Sequence, residues 1–223
     1  MRYARQVALA EIGVEGQRKL ENANVAIVGV GALGTVAAEL LVRAGIRGVL
    51  LVDDDYVDEI NLQRQTLFKE KHIGSKKVNA ALKELEEINS KVKITTKEKF
   101  ISGGDTSFLR NYDLILDCTD NMKARHTINN HCKKTKQMWI HAAGSGVKGN
   151  ILVVEKPEVF ERLFKTAESF DSCEEIGVIN TLTNTIASLQ VTEAFKVLTG
   201  ENYCKDLIRF NLWNNKYERF KIR

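Results

Sequence analysis

The order of hydrophobic and polar positions in the first half of the chain predicts alternating strands and helices. Short apolar runs at Val25–Val28 and Val49–Val52 have the length and composition of buried strands, and residues 33–44 between them have helical spacing. A strand, a helix and a second strand in this order are typical of a βαβ unit, whose strands are parallel. The sequence therefore predicts an α/β fold built on a parallel sheet.

The same pattern continues along the rest of the chain with one interruption. Helical spacing predicts helices from about Ser75 to Ile88, 121 to 136 and 181 to 198. Strand-like runs cover 92–96, 114–116, 139–143, 149–154, 207–212 and 217–222, the last two joined by the turn residues Asn214 and Asn215. Residues 155–178 are polar and irregular, which favours a long functional loop.

Length and composition indicate one compact domain. The 223 residues contain a single proline and no internal repeat, so no linker divides them. We expect a Rossmann-like, mostly parallel sheet with helices on both faces, extended by C-terminal antiparallel strands. This prediction treats residues 1–223 as a single domain.

Charge and cysteine placement exclude several classes of protein. The net charge is +4, but acidic and basic residues alternate along most of the chain, which argues against a nucleic-acid binder. The first residues lack the apolar core of a signal peptide and no run approaches the roughly 20 apolar residues of a membrane span, so we expect a cytoplasmic protein. Four widely spaced cysteines favour reduced thiols over disulfides.

A glycine-rich loop follows the first predicted strand and opens the first long helix. It runs Gly29-Val30-Gly31-Ala32-Leu33-Gly34, and Asp53-Asp54-Asp55 ends the next strand about 20 residues later. Such loops bring backbone amides close to a phosphate, and acids at this position accept hydrogen bonds from ribose hydroxyls. The combination predicts a nucleotide site, against the alternative that the glycines only permit close packing.

Basic residues nearby favour a triphosphate over a nicotinamide dinucleotide. Lys76 and Lys77 occupy the first turn of a predicted helix, where the helix dipole disfavours cations unless an anion lies between. The alternative is a pair of solvated surface lysines. The segment Asn61-Leu62-Gln63-Arg64-Gln65 offers a guanidinium and amides for phosphate oxygens, and Arg5 is one more candidate cation.

A third polar cluster, Asp117-Cys118-Thr119-Asp120-Asn121, follows the predicted strand 114–116. Its carboxylates should project from the carboxyl edge of the sheet, where α/β folds bind ligands. Asp120 beside a polyphosphate is a natural ligand for Mg²⁺, which takes one or two protein carboxylates together with phosphate oxygens. The alternative is that Asp120 or Asn121 caps the following helix.

These motifs, in this order, resemble the ThiF/MoeB/HesA family of ubiquitin-activating-like adenylyltransferases. The resemblance covers nearly the whole chain, and it also includes 149–151, 172–178 and 187–190. It implies a homodimer that uses ATP and Mg²⁺ to adenylate the C-terminal glycine of a ubiquitin-like sulfur-carrier protein ending in Gly-Gly, in a thiamine or molybdopterin type pathway. Residues 1–143 would form the nucleotide-binding half and 144–223 the carrier-binding and sheet-extension half.

The resemblance also implies roles for individual residues. Asp53, with Asp55 beside it, would bind the ribose. The phosphates would be held by Asn61, Gln63, Arg64 and Lys77 over the loop of Gly29, Gly31, Ala32 and Gly34, Asp120 would bind magnesium with Asn121 next to it, and Arg5 would reach the phosphates of the neighbouring subunit. Cys173 would lie near the activated carrier, with an ordinary loop or buried thiol as the alternative.

The chain departs from the family pattern in three ways. It lacks the two cysteine pairs that hold a structural zinc in most relatives, so we expect a zinc-less variant. Ala32 stands where the family usually has glycine, which should tighten the fit over the phosphates. We also expect no C-terminal sulfurtransferase domain, so sulfur would come from a separate donor protein.

The sequence also allows two other hypotheses. A non-catalytic scaffold of the same fold, binding a carrier or another subunit, is suggested by the missing zinc ligands. A nicotinamide-dependent dehydrogenase is supported only by the glycine loop and the acids after it.

Overall fold

The computed structural model describes residues 2–164 and 177–222. The strands are β1 Asn24–Val28, β2 Gly48–Val52, β3 Lys93–Lys97, β4 Leu114–Asp117, β5 Trp139–Ser145, β6 Lys148–Val154, β7 Leu207–Asn211 and β8 Lys216–Phe220. They form one eight-stranded sheet in the order β3-β2-β1-β4-β5-β6-β7-β8.

Seven α-helices surround this sheet in the described part of the chain. They are α1 Ala4–Val7, α2 Gly13–Leu20, α3 Gly34–Ala44, α4 Lys77–Ile88, α5 Met122–Thr135, α6 Pro157–Phe164 and α7 Asn180–Thr199. Short 3₁₀ turns lie at Glu59–Asn61, Glu70–His72 and Ser107–Leu109. Among the described helices, none has both the length and the apolar character that crossing a bilayer requires.

The sheet has a parallel part followed by an antiparallel extension. Strands β1 to β5 pair in parallel, with Val28 beside Val52 on one side and beside Asp117 on the other. Strands β5 to β8 pair in antiparallel fashion, and the predicted hairpin of β7 and β8 turns through Asn215 at a φ of 50°. The predicted fold class is confirmed.

Both faces of the central parallel strands β1, β2 and β4 are buried, as their continuous apolar runs require, whereas the edge strand β3 is partly exposed. Side chains alternate along β1: Val25 and Ile27 pack with α3, α4 and α7, whereas Ala26 and Val28 pack on the opposite face with α5 and α6. Gly45 ends α3 and Gly200 ends α7 in the left-handed conformation that favours glycine. The layers therefore hold the carboxyl ends of the strands in fixed relative positions.

The sequence-based prediction was wrong for part of the segment 155–178. Pro157–Phe164 forms α6, which begins with proline as helices often do and buries Phe160 and Phe164 against the sheet. Val159, Phe160, Leu163 and Phe164 recur at helical spacing, but this signal is confined to eight residues and is diluted when 155–178 is taken as one segment. The short α1 and α2 were not predicted either, and α4 begins at Lys77 rather than near Ser75.

Gly34 is required by the close approach of the loop to its helix. A Cβ added at Gly34 would lie 1.9 Å from the carbonyl oxygen of Gly29, whereas a Cβ at Gly31 meets nothing nearer than 3.7 Å. We expect Gly34→Ala to lower the free energy of unfolding by about 1–3 kcal/mol, because the backbone of the loop must move. Urea denaturation measures this, with Gly31→Ala as the matched control that should change stability little. Equal losses in both variants would contradict the steric explanation.

Candidate active site

The candidate site lies beside β1, where the chain stops adding strands on one side of the sheet and begins to add them on the other side. The chain proceeds from β1 to β2 on one side, and β4 lies on the other side of β1. In open α/β sheets the crevice at this switch point, beyond the carboxyl ends of the strands, is where ligands bind. Gly29 at the end of β1 lies directly against the end of β4, because a Cβ at Gly29 would come within 2.6 Å of the Cys118 carbonyl. The predicted glycine loop and the predicted cluster 117–121 therefore meet.

The glycine loop presents backbone amides to this crevice. Gly29 has a φ of 91°, the Gly31 carbonyl accepts bonds from the amide and hydroxyl of Thr35, and Gly34 opens α3. In the described part of the chain, the amides of Gly31 and Ala32 have no protein acceptor. Free amides at the positive end of an 11-residue helix form a favourable environment for a phosphate.

The two predicted ribose acids have different environments. Asp53 accepts hydrogen bonds from the amides of Val30 at 2.7 Å and Asp55 at 2.9 Å, so it ties the glycine loop to the end of β2. Burial raises the pKa of Asp53, although these two bonds oppose the shift. Partial burial acts to raise the pKa of Asp55 too, but the hydrogen bonds from Lys77 and the Tyr56 amide, together with the lysine charges, outweigh burial and lower that pKa.

The predicted phosphate-binding segment 61–65 folds against the glycine loop. Asn61 is buried, and its Oδ1 accepts from the Asp58 amide at 3.1 Å, which leaves its Nδ2 group available as a donor. Arg64 is held by a bond from Nη1 to the Ile60 carbonyl at 2.9 Å, whereas Gln63 is exposed. Gln65 Nε2 would lie 3.7 Å from a Cβ at Gly31, so this segment borders the loop directly.

The two lysines at the start of α4 have different partners. Lys77 is buried, with an exposed fraction of 6%, and its Nζ pairs with the Asp55 carboxylate at 2.5 Å. Lys76 donates to the Asp54 carbonyl and lies over the Tyr56 ring at 3.8 Å. Lys77 therefore lies beside the acids that follow β2, at the positive end of α4. Lys76 instead lies against Asp54 and Tyr56.

Asp120 lies in the turn between β4 and α5 with its side chain exposed. Its carboxylate accepts a hydrogen bond from Asn121 Nδ2 at 3.1 Å. The Asn121 Oδ1 accepts from the Ala124 amide at 2.9 Å, so Asn121 caps α5, the alternative that the sequence left open. Asp120 keeps lone pairs directed to solvent at the mouth of the crevice.

Asp117 does not project from the sheet edge as the sequence pattern suggested. It is fully buried and accepts hydrogen bonds from Thr119 and from His141 Nδ1, the latter at 2.9 Å. The charged Arg125 Nε lies 3.5 Å from its carboxylate. Burial acts against its ionisation, but the hydrogen bonds from His141 and Thr119 and the charge of Arg125 act together with His141's electrostatic contribution to outweigh burial and lower its pKa. Sequence reasoning missed Arg125, although a cation in the first turn of α5 was a signal of the kind that pointed to Lys77.

Acidification should destabilise this fold, because burial lowers the pKa of both His131 and His141. Below about pH 6.5 the unfolded chain takes up protons that these folded histidines do not, so the free energy of unfolding should fall from pH 7 to pH 5. Denaturant titrations at both pH values measure the loss. His131→Gln, which keeps a group able to bond Thr106 and Gln137, should lose less stability on acidification than the parent chain. An unchanged loss would contradict this assignment.

Two predicted site residues are not placed at the crevice. Arg5 is exposed on α1, next to Gln6, which donates to the Ala44 carbonyl at the far end of α3. Because α3 has 11 residues, that end lies about 16 Å from the glycine loop, at the opposite edge of the sheet. Cys173 lies outside the described residues.

The residues present fit a magnesium–phosphate complex better than a protein-enclosed metal. In the described ranges 2–164 and 177–222, no group of three or more His, Cys, Asp or Glu side chains could hold a metal ion. Mg²⁺ commonly takes a single protein carboxylate with phosphate oxygens and water, which an exposed Asp120 beside free loop amides can provide.

Of the three described cysteines, Cys118 and Cys132 are buried, and burial raises the pKa of Cys132 to about 12.

Comparison with known proteins places the fold and the motifs in one family. The model of the ThiF family matches residues 3–223. The chain belongs to the ThiF family. Over its full length this ThiF-family chain is 36% identical to the sulfur carrier protein ThiS adenylyltransferase of Bacillus subtilis (strain 168), of which it covers 67%. It is 31% identical, again over its full length, to the adenylyltransferase and sulfurtransferase MOCS3 of Culex quinquefasciatus, of which it covers 52%.

Solved structures share the fold of this chain. The chain superimposes over its full length on 72% of the Escherichia coli MccB chain crystallised with succinimide, with a TM-score of 0.85 and 20% identity. MccB crystallised with ATP gives a TM-score of 0.82 at 22% identity, covering 99% of this chain and 71% of MccB. Among the relatives compared by sequence, the chain spans about two thirds of the length of the Bacillus protein and about half of the length of the Culex protein.

Proposed function

We propose that this chain binds ATP at the switch-point crevice and adenylates the C-terminal glycine of a ubiquitin-like sulfur-carrier protein. The observation that carries the proposal is that free amides of the glycine loop lie against the end of β4, while Lys77 and Arg64 follow β2 and the exposed Asp120 follows β4. A nicotinamide dinucleotide has no need of this concentration of cations and a solvent-facing carboxylate. The name of the Bacillus relative supports adenylyl transfer to a sulfur carrier as the reaction, and the name of the Culex relative supports adenylyl transfer.

In the proposed reaction, a carboxylate oxygen of the carrier attacks the α-phosphorus of ATP. The bond from that phosphorus to the β-phosphate bridging oxygen breaks, giving acyl-adenylate and pyrophosphate. The Gly29–Gly34 loop and the Asp53 segment orient the nucleotide, and Arg64 and Lys77 stabilise charge on the phosphates. Magnesium, held by Asp120, would supply further neutralisation of that charge.

Three partner proteins are proposed for this chain: a second copy of itself, the carrier and a sulfur donor. The position of Arg5 at the far edge of its own sheet supports its use by a second subunit, so we propose a homodimer. Strands β6–β8 in residues 144–223 extend the sheet beside the crevice and are proposed to receive the carrier. Sulfur would come from a separate donor protein, and the proposed location is the cytoplasm.

The decisive experiment is exchange of labelled pyrophosphate into ATP with a panel of carriers that end in Gly-Gly. We expect exchange with one carrier and none when its terminal glycine is removed. Thermal denaturation with Mg-ATP and with NAD separates the alternatives: a dehydrogenase would be stabilised selectively by NAD, and a scaffold by neither. Absence of both exchange and Mg-ATP stabilisation would overturn the proposal.

A further inference from the structure

A buried polar network lies directly beneath the turn that carries Asp120. Its centre is Asp117, which is fully buried at the end of β4. Asp117 Oδ1 accepts from the Thr119 amide at 3.0 Å and the Thr119 hydroxyl at 2.6 Å, while Oδ2 accepts from His141. His141 is itself fixed on the other side by Asn150 Oδ1 at 3.0 Å. The network therefore holds the residue that immediately precedes Asp120.

Arg125 closes this network from the first turn of α5. Its side chain is buried, and Nη2 donates to the Thr119 carbonyl at 2.7 Å. Its Nε is buried without a hydrogen bond in the described part of the chain, 3.5 Å from the Asp117 carboxylate. Arg125 thus makes its shortest contact with the peptide group that links Thr119 to Asp120, and not with the carboxylate.

Two successive peptide groups are fixed by these contacts. The Thr119 amide is held by Asp117, and the Thr119 carbonyl is held by Arg125. On the other side of Asp120, Asn121 is held by its bond to the Ala124 amide and donates to the Asp120 carboxylate. An exposed side chain is thereby flanked by anchored backbone on both sides, which limits the directions it can take.

The placement of Arg125 has a cost that a purely structural residue would avoid. A cation in the first turn of a helix opposes the helix dipole, and a buried guanidinium with an unbonded Nε is incompletely compensated. His141 already satisfies the Asp117 oxygen that faces Arg125. Besides the charge that it places next to Asp117, Arg125 provides the described hydrogen bond to the Thr119 carbonyl.

We propose that Arg125 is a positioning residue that fixes the Thr119–Asp120 peptide and so aims the Asp120 carboxylate at the metal–nucleotide complex. The proposal rests on the proposed function for the identity of the ligand. The position of the turn, by contrast, is a property of the free protein. A group that orients a metal ligand through a hydrogen bond typically changes metal affinity or activity by 10- to 100-fold when it is lost.

The test compares Arg125→Gln and Arg125→Lys with Arg18→Gln, an exposed arginine on α2 paired with Glu15. Hydrogen–deuterium exchange of the metal-free protein reports on the turn. We expect faster exchange at the Thr119 and Ala124 amides in Arg125→Gln, a smaller change in Arg125→Lys, and none in Arg18→Gln. If Arg125→Gln does not fold, Arg125→Lys gives the same comparison, because a lysine can bond the carbonyl but not span to Asp117 with a planar fork.

Binding of Mn²⁺ with α,β-methylene ATP, followed by electron paramagnetic resonance, gives a second measurement that does not require turnover. Arg125→Gln should weaken Mn²⁺ binding by about 10- to 100-fold. In an Asp120→Ala background the same substitution should add almost nothing, because both act through one carboxylate. Additive losses, or unchanged local exchange and Mn²⁺ binding in folded Arg125→Gln, would overturn the proposal.

These measurements also separate this proposal from the proposed function. If the parent chain exchanges no pyrophosphate with any carrier, but Arg125→Gln loosens the turn and weakens Mn²⁺–nucleotide binding, then positioning stands and carrier adenylation fails. If the parent chain exchanges pyrophosphate and Arg125→Gln matches it in both physical measurements, then positioning alone fails.

Discussion

Asp120→Ala should reduce carrier-dependent exchange of pyrophosphate into ATP by about 10²- to 10³-fold while the protein stays folded. The carboxylate is exposed and its one described hydrogen bond comes from its neighbour Asn121, so the core loses nothing when it is removed. Its proposed work occurs only when the metal–nucleotide complex is bound. The effect should therefore appear in the rate and not in the unfolding curve.

Two further substitutions test whether the loss of exchange is specific to the charge of Asp120. Asp120→Asn keeps the size of the side chain and removes its charge, so it should lose nearly as much activity as alanine if the charge binds the metal. Glu86→Ala removes an exposed carboxylate from α4, away from the crevice, and should leave exchange unchanged. Full activity in folded Asp120→Ala would remove Asp120 from the proposed mechanism.

The sequence was sufficient to predict the parallel half of the sheet and the position of the candidate motifs at the carboxyl ends of its strands. Apolar runs such as Val25–Val28 and Val49–Val52 are long, continuous and separated by helical spacing, so few other folds accommodate them. The glycine loop and the acids after β2 follow directly from that order of elements. Their meeting with the turn after β4 required only the rule that ligands bind at the switch point.

The side-chain contacts within the candidate site could not be predicted from the sequence. Asp117 and Asp120 look alike in Asp117-Cys118-Thr119-Asp120, yet one is buried and the other exposed. The difference depends on His141 and Arg125, which lie on other elements and meet Asp117 only after the sheet forms. In the same way, the pairing of Lys77 with Asp55 arises from the backbone bridge between Tyr56 and Lys76. No local sequence pattern predicts this bridge.

Lys77→Met should abolish most of the stabilisation by Mg-ATP and lower carrier-dependent exchange by about 10²-fold or more. The buried stem of Lys77 is replaced by a side chain of similar length and flexibility, so packing at the start of α4 is kept. Its partner Asp55 has a side chain that is 62% exposed, so water can solvate the released carboxylate and the free protein should lose little stability. The loss should therefore appear mainly when nucleotide is present.

The matched substitution Asp55→Asn decides what the ion pair does. In the free protein Asp55 holds Lys77 by a direct ion pair, and the amide of Lys77 donates to the Asp55 carbonyl at 3.0 Å. If Lys77 binds the triphosphate, removing the Asp55 charge frees the lysine and should cost far less exchange than Lys77→Met, with Mg-ATP still raising the melting temperature. Kinetics at several ATP concentrations then divide the Lys77→Met loss into KM, for binding in the ground state, and kcat, for the transition state. Equal thermal stabilisation of the parent chain and Lys77→Met by Mg-ATP would exclude Lys77 as a phosphate ligand and leave its pairing with Asp55 as its main role.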